Sequence, residues 1–296
     1  MRTDVQLGQV HGYRYAPSAE PPRYNLLIAH GIGGHGATYD VFCEPLAARA
    51  VNIHSVDLPG HGLARNASGE FRFVEWLEDI DEAARLIKKQ SGRPLFVLGS
   101  SQGSAAAFHS LAFSPAVDGA VTMGIILAGV PMEHDSASKR IGQQMTGPQA
   151  VAIAQREGDH RRIDLRTAID WDRDYATEDS NVLEKKQADP LRTWSYGFAS
   201  LHSYWNYVPP VPPSENRKPL LVTAGGDDPL MPRSYVESCF AAIGGPKELY
   251  VMPGAGHQLM LYYTDAYVDV VDGWISQQVE LLDAAEGQAA AREASS

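Results

Sequence analysis

The chain has 296 residues, 44% of them hydrophobic, and carries a net charge of −11. A chain of this length can bury about three quarters of its unfolded surface and hold one large core, while the acidic balance argues against nucleic acid or an anionic membrane surface as partner. No stretch reaches the ~18 uninterrupted apolar residues of a membrane span. The first residues lack the charged-then-apolar pattern of a leader. Cys43 and Cys239 show no metal-ligand spacing and read as free buried thiols on helices. Together these features predict a cytoplasmic protein.

Strand and helix signals alternate from Tyr24 to about Val130. Tyr24–Ala29 reads as a strand running into the loop His30-Gly31-Ile32-Gly33-Gly34. A second strand is expected over 51–57, followed by the turn Asp57-Leu58-Pro59-Gly60-His61-Gly62. From Phe73 to Lys89, apolar residues recur at helical spacing (Phe73, Trp76, Leu77, Ile80, Ala83, Ala84, Ile87), as in a helix packed on a sheet. Strands are expected near 94–99 and near 123–129, the latter inside the apolar run from Ala120 to Val130 and read as the sixth core strand. Such alternation predicts a mostly parallel sheet with helical crossovers. The pattern breaks after Pro131: residues 132–215 are polar, helical in tendency and without strand signals, and read as an inserted helical lid. Alternation resumes with the strand Pro219–Ala224, a helix from Pro232 to Ala242 and the strand Glu248–Val251. The core is thus expected in 1–131 and 216–282, and residues 283–296 as a frayed helix end or flexible tail.

Chemistry concentrates at Gly99-Ser100-Ser101-Gln102-Gly103, a G-x-S-x-G pattern placed between an apolar strand and a helix of small residues (Ser104, Ala105, Ala106, Ala107). A sharp strand-to-helix turn strains its central residue, and glycines two positions to either side leave room for it. The spacing selects Ser101 over Ser100, whose flanking positions would be Leu98 and Gln102. A phosphate-binding loop would require a lysine that does not follow. A hydroxyl nucleophile needs a neutral imidazole as base, and the imidazole needs a carboxylate to orient it. Of ten histidines, His257 lies in a Gly-rich loop just past a strand, where open α/β sheets place their ligands. His30 and His61 precede glycines in turns and read as structural, His109 as a packing residue on a helix, and His54 as part of a strand. The remaining five lack a strand-end context. The acid is expected in Gly225-Gly226-Asp227-Asp228-Pro229; Asp228 is preferred because Pro229 holds it extended, with Asp227 next. Two backbone donors for an oxyanion are expected from Ile32 and Gln102. Gly31–Gly36 also fits G-x-G-x-x-G literally, but only Asp57 offers the acid that a dinucleotide site needs.

These stretches resemble the α/β-hydrolases of the monoacylglycerol lipase and lysophospholipase-like group, from about Tyr13 to Ile275. His30–His35 with Tyr39 matches the group's His-Gly-x-x-x-His loop, Asp57–Gly62 its Asp-x-x-Gly-His-Gly turn, and Gly99–Gly103 its elbow. Ala188-Asp189-Pro190-Leu191 resembles its lid-to-core segment, and Gly225–Asp228 with Gly256-His257 complete the set. The elbow departs from the usual Gly-His-Ser-Met-Gly-Gly at Ser100, Gln102 and Ser104, and Ala64 stands where a serine is usual. The resemblance implies an α/β-hydrolase fold and a triad of Ser101, Asp228 and His257, in the chain order of that fold. It also implies Ile32 and Gln102 as oxyanion donors, a small-molecule ester as substrate, and neither cofactor nor metal. Carbon–carbon bond hydrolysis, thioesters and lactones stay open, as does a non-catalytic ligand-binding protein on the same fold. Lid aromatics (Trp171, Tyr175, Trp194, Tyr196, Phe198, Tyr204, Trp205, Tyr207) suit an apolar acyl or aryl group. Arg156, Arg161, Arg162 and Arg166 read as a solvated helix face rather than an anion site.

Overall fold

In the computed structural model, which describes residues 2–178 and 180–294, the apolar runs become the strands of one eight-stranded sheet. In chain order the elements are β1 (Arg2–Leu7), β2 (Val10–Tyr15), β3 (Tyr24–Ala29), α1 (Asp40–Ala47), β4 (Val51–Val56), α2 (Phe73–Ser91), β5 (Leu95–Ser100), α3 (Gln102–Phe113) and β6 (Gly119–Met123). There follow α4 (Ala137–Met145), α5 (Gly147–Glu157), β7 (Arg162–Asp164), α6 (Leu165–Ala168), α7 (Trp171–Asp174), α8 (Val182–Gln187), β8 (Ser195–Gly197) and α9 (Phe198–Trp205). The last set is β9 (Leu220–Gly225), α10 (Arg233–Ala242), β10 (Lys247–Met252), α11 (Leu259–Tyr262) and α12 (Thr264–Ala294).

The strand order is β1-β2-β4-β3-β5-β6-β9-β10, parallel from β4 to β10. It is an α/β-hydrolase fold. Strands buried on both faces read as continuous apolar runs, which is why β3, β5 and β9 stand out in the sequence. Their side chains alternate between two cores. Leu27, Ala29 and Val97 pack with Trp76 and Ile80 of α2 and Ala106 of α3; Leu26, Ile28 and Leu98 pack with Phe42 of α1 and Tyr267 and Val271 of α12. The helix expected from Phe73 to Lys89 runs to Ser91 and stops at Gly92, whose φ of +66° is the left-handed cap that glycine supplies at little cost.

Three expectations differ from the structure. The strand expected near 123–129 is β6 and ends at Met123. Gly124 turns to φ +69° and gives its N–H to Thr223 O, and the apolar residues beyond it, Ile125 to Leu127, are buried by packing rather than by strand pairing. The segment between β6 and β9 does contain strand: β7 and β8 pair antiparallel, too short and too polar to give a period-two signal. An antiparallel hairpin, β1 and β2, precedes the first expected strand and joins the sheet through β4. The chain from Asp283 continues α12 to Ala294, and residues 295 and 296 of the expected tail lie outside the described residues. Among the described residues no helix is long and apolar enough to cross a membrane. Cys43 and Cys239 are free and buried, on α1 and α10.

Candidate active site

Four loops at the carboxyl ends of β3, β5, β9 and β10 carry the residues singled out in the sequence. At the first of these to consider, after β5, Ser101 takes φ +52° and ψ −116°, one of only a few non-glycine residues at positive φ among those described. Such a conformation is strained and persists where the surroundings over-determine it. Here the restraints are visible. Ser101 N–H bonds Met123 O at 2.9 Å, and its own carbonyl accepts from Ser104 N at 2.9 Å. A Cβ on Gly99 would collide with the Gly103 carbonyl and Ala107, and one on Gly103 with the carbonyl oxygens of Ala29 and His30. The two glycines of the pattern are therefore required by backbone packed on backbone.

The loops after β9 and β10 meet. Asp228 Oδ2 accepts from His257 Nδ1 at 2.7 Å, and both residues are buried. Asp228 Oδ1 accepts from the N–H groups of Leu230 and Met231 at 2.8 and 3.0 Å, so both oxygens are committed and the carboxylate is fixed. Asp227 is exposed and turned away. With Nδ1 donating to the carboxylate, Nε2 of His257 is the nitrogen left to accept a proton. Burial alone would lower the pKa of His257. The charge of Asp228 and its hydrogen bond, with the charge of Glu178, outweigh burial and raise it above the ordinary 6.5, while Lys186 works in the opposite direction. Among the described residues the Ser101 hydroxyl makes no hydrogen bond to His257; resting sites commonly close that contact only in the complex.

The loop after β3 is gripped from several sides. Gly31 N–H reaches the Tyr39 hydroxyl at 3.4 Å, Gly33 N–H the Tyr196 hydroxyl at 2.7 Å and Gly34 N–H the Gly31 carbonyl at 3.0 Å. No acceptor among the described residues takes the N–H of Ile32, nor that of Gln102 at the start of α3. A Cβ on Gly31 would stand 3.1 Å from Ser101 Cβ, so the loop lies directly against the elbow. Asp57 anchors it from below, accepting from Gly36 N at 2.6 Å, Leu63 N at 2.9 Å and His11 Nδ1 at 2.8 Å. His30 and His61 are structural. His30 bonds Gly31 O and Leu58 N, His61 bonds Pro59 O and Tyr196, and burial brings their pKa values down to about 3 and about 4. His109 packs between Phe73, Phe108 and Tyr207.

Comparison with known proteins places the chain in a family. Residues 20–262 match the Hydrolase_4 family model, described as serine aminopeptidase, S33. The chain belongs to that family. Among curated relatives, it is 25% identical over 242 residues to phospholipase YtpA of Bacillus subtilis, covering 78% of this chain and 86% of that protein. Among solved structures, a thermostable carboxyl esterase of Bacillus coagulans superposes with a TM-score of 0.73 at 17% identity, over 94% of this chain and 98% of the esterase. The monoacylglycerol lipase of Paleococcus ferrophilus superposes with a TM-score of 0.68 at 17% identity, over 91% and 99%.

Two cavities flank Ser101 and differ in character. One, of about 50 Å³, is apolar and is lined by Ile126, Ile141, Ile169, Tyr175, Tyr204 and Leu230 beside Ile32, Ser101 and Gln102. Ser138 and Trp205 connect it to a larger groove of about 270 Å³ along α4. Three of the lid aromatics thus face the site. Tyr196 is instead committed to Gly33 and His61, and Trp171 stacks on Tyr175 with ring centroids 5.0 Å apart.

The other cavity, about 20 Å³, is mixed, with polar and apolar surface in about equal measure. It borders Ser101, Gly31, Ile32, Tyr39, Tyr175 and Gln258, together with Lys186 and Arg192. These two cations were not singled out in the sequence, where the richer cluster at Arg156, Arg161, Arg162 and Arg166 drew attention. Every one of those four has a carboxylate partner: Glu157 for Arg156 and Arg161, Glu70 for Arg162 and Asp164 for Arg166. The available signal was Arg192, four residues after Ala188 in the lid-to-core segment. Its turn is set by Asp189, which accepts from Leu191 N and from His35 Nε2 and whose carbonyl takes Arg192 N–H.

Proposed function

We propose that this chain is a serine hydrolase that cleaves a small carboxylic ester through an acyl-enzyme intermediate. Ser101 Oγ attacks the ester carbonyl while His257 Nε2 takes its proton, and Asp228 stabilises the imidazolium. The N–H groups of Ile32 and Gln102 hold the negative oxygen of the tetrahedral intermediate, each donor contributing about 2.7–4 kcal/mol to the transition state. His257 then returns the proton to the departing alcohol oxygen, and water, deprotonated by the same imidazole, releases the acid and regenerates Ser101. Residues 132–215 act as a lid whose inner face sets the shape of the substrate.

The observation that carries this reading is the strained Ser101 on its glycine-flanked turn, at the same sheet edge as a buried His257–Asp228 pair 2.7 Å apart. Lipase, phospholipase and esterase names among the relatives support ester hydrolysis, with monoacylglycerol or a lysophospholipid as candidate substrates. The apolar cavity supports an acyl or aryl group beside the serine. The test is a p-nitrophenyl ester series from acetate to palmitate, run with monoacylglycerol on the wild type and Ser101→Ala, with fluorophosphonate labelling of Ser101. Serine-dependent cleavage with labelling is expected. Cleavage that survives Ser101→Ala removes the nucleophile. Labelling without cleavage of any ester moves the reaction to a carbon–carbon bond, a thioester or a lactone.

A further inference from the structure

Lys186 and Arg192 both line the small cavity beside Ser101, and neither has an ion-pair partner among the described residues. Both side chains are half-buried, a setting in which a cation is usually paired. Two carboxylates act on Lys186 through their charge without forming an ion pair with it. Glu178 accepts from Gln258 N at Oε1 and keeps a buried Oε2 without a partner, and both oxygens of Asp189 are taken by His35 and Leu191. Lys186 lies over the face of Tyr175, 5.4 Å from its ring centroid. Arg192 lies over the Trp194 ring at 4.7 Å and against Gly33, where a Cβ would stand 2.6 Å from its guanidinium; its buried Nε makes no hydrogen bond. Burial foremost, and then the charge of Arg192, bring the Lys186 ammonium down to about 7 against the opposing charges of Glu178 and Asp189.

The position of this space says which part of a substrate it meets. It borders Gln258, the residue after His257, whereas the apolar cavity borders Gln102 and Leu230. A departing alcohol must lie on the histidine side to be protonated. About 20 Å³ admits only a small group, so a carboxylate held there would extend toward a hollow beyond. Beyond it, Thr38, Lys186 and Arg192 also border an open hollow of about 480 Å³, giving a charged group a path from the surface.

We infer that Lys186 and Arg192 form a binding site for a carboxylate on the alcohol portion of the substrate, so that the preferred ester is an amphipath with an apolar acyl group and an anionic alcohol. The side of the bond rests on the hydrolase reading; the anion site itself does not. The test separates the two. Ser101→Ala is titrated calorimetrically with pentanoyloxyacetate and with its uncharged amide. The acid should bind at least tenfold tighter, Lys186→Met and Arg192→Gln on the Ser101→Ala background should each remove most of that preference, and Lys186→Arg should retain it. Equal binding of acid and amide to Ser101→Ala overturns the proposal, and that comparison needs no further variant to fold. In the wild type, kcat/KM should favour the acid by a similar factor. A wild type that cleaves both esters equally removes the anion site and keeps the hydrolase. One that cleaves neither and escapes the fluorophosphonate, while Ser101→Ala still prefers the acid, does the reverse.

Discussion

The two halves of the site are built by different means. Around Ser101 the core loops are held by main chain against main chain: Gly99 on Gly103, Gly103 on Ala29 and His30, Gly31 on Ser100 and Ser101. The segment between β6 and β9 is held to the core largely by side chains, through Tyr196 on Gly33 and His35 on Asp189, with main-chain bonds also from Thr193 N–H to Gly33 O and from Gly197 N–H to Gly69 O. Backbone contacts of that closeness admit one residue type, while side-chain contacts can be re-made by other pairs. Tolerance of substitution should therefore be lower in the first half than in the second.

That contrast can be broken at graded points. Ser101→Ala should lower ester turnover by about 10⁴–10⁶-fold with the melting temperature nearly unchanged; stopped assays and a thermal scan together check it. Asp228→Asn should cost about 10⁴-fold in kcat, whereas Asp227→Asn should stay within a few-fold, and the reverse order would exchange the acid. Gly103→Ala should destabilise the fold by about 3 kcal/mol or more, since no neighbouring atom is the end of a flexible side chain; urea unfolding measures it. Tyr196→Phe, on the side-chain-built half, should cost only about 1–3 kcal/mol by leaving Gly33 N–H and His61 without their partner, with kcat falling as the loop loosens.

The smallest effect is a shift in pH dependence. His257 must be neutral to act as base, and its pKa lies above 6.5, so kcat/KM should climb as pH rises through a midpoint on the alkaline side of that value. Glu178 raises that pKa and Lys186 lowers it. Glu178→Gln should accordingly move the limb to lower pH and Lys186→Met to higher pH. A limb that ignores both substitutions would show that the lid charges do not reach the imidazole.

Legibility in the sequence follows the same division. The parallel strands, α2 and the elbow announce themselves because full burial writes long apolar runs and forced backbone writes glycine. Asp228 is preferred to Asp227 in the sequence for the extended conformation that Pro229 imposes, and it is Asp228 whose carboxylate meets His257. What escaped was decided by partners distant in the chain. The arginines at 156–166 and the pair Lys186 and Arg192 look alike in sequence, yet among the described residues the first set forms ion pairs and the second forms none. The end of β6 was missed because Ile125–Leu127 are buried as thoroughly as any strand, though by helices of the inserted segment.

The inserted segment leaves the sheet at the end of β6 and returns at β9, strands that are hydrogen-bonded neighbours with Ala120 opposite Leu220. The two strands run parallel, so the segment departs at the carboxyl end of β6, where Met123 faces Thr223, and comes back to the amino end of β9 at Leu220. It is thus also the crossover between neighbouring strands. A chimaera carrying another hydrolase's segment should keep the sheet and the elbow only where the graft spans that same crossover. Its graft would have to bring its own substitute for the Asp189–Tyr196 stretch, because that stretch reaches back to steady the loop that carries Ile32.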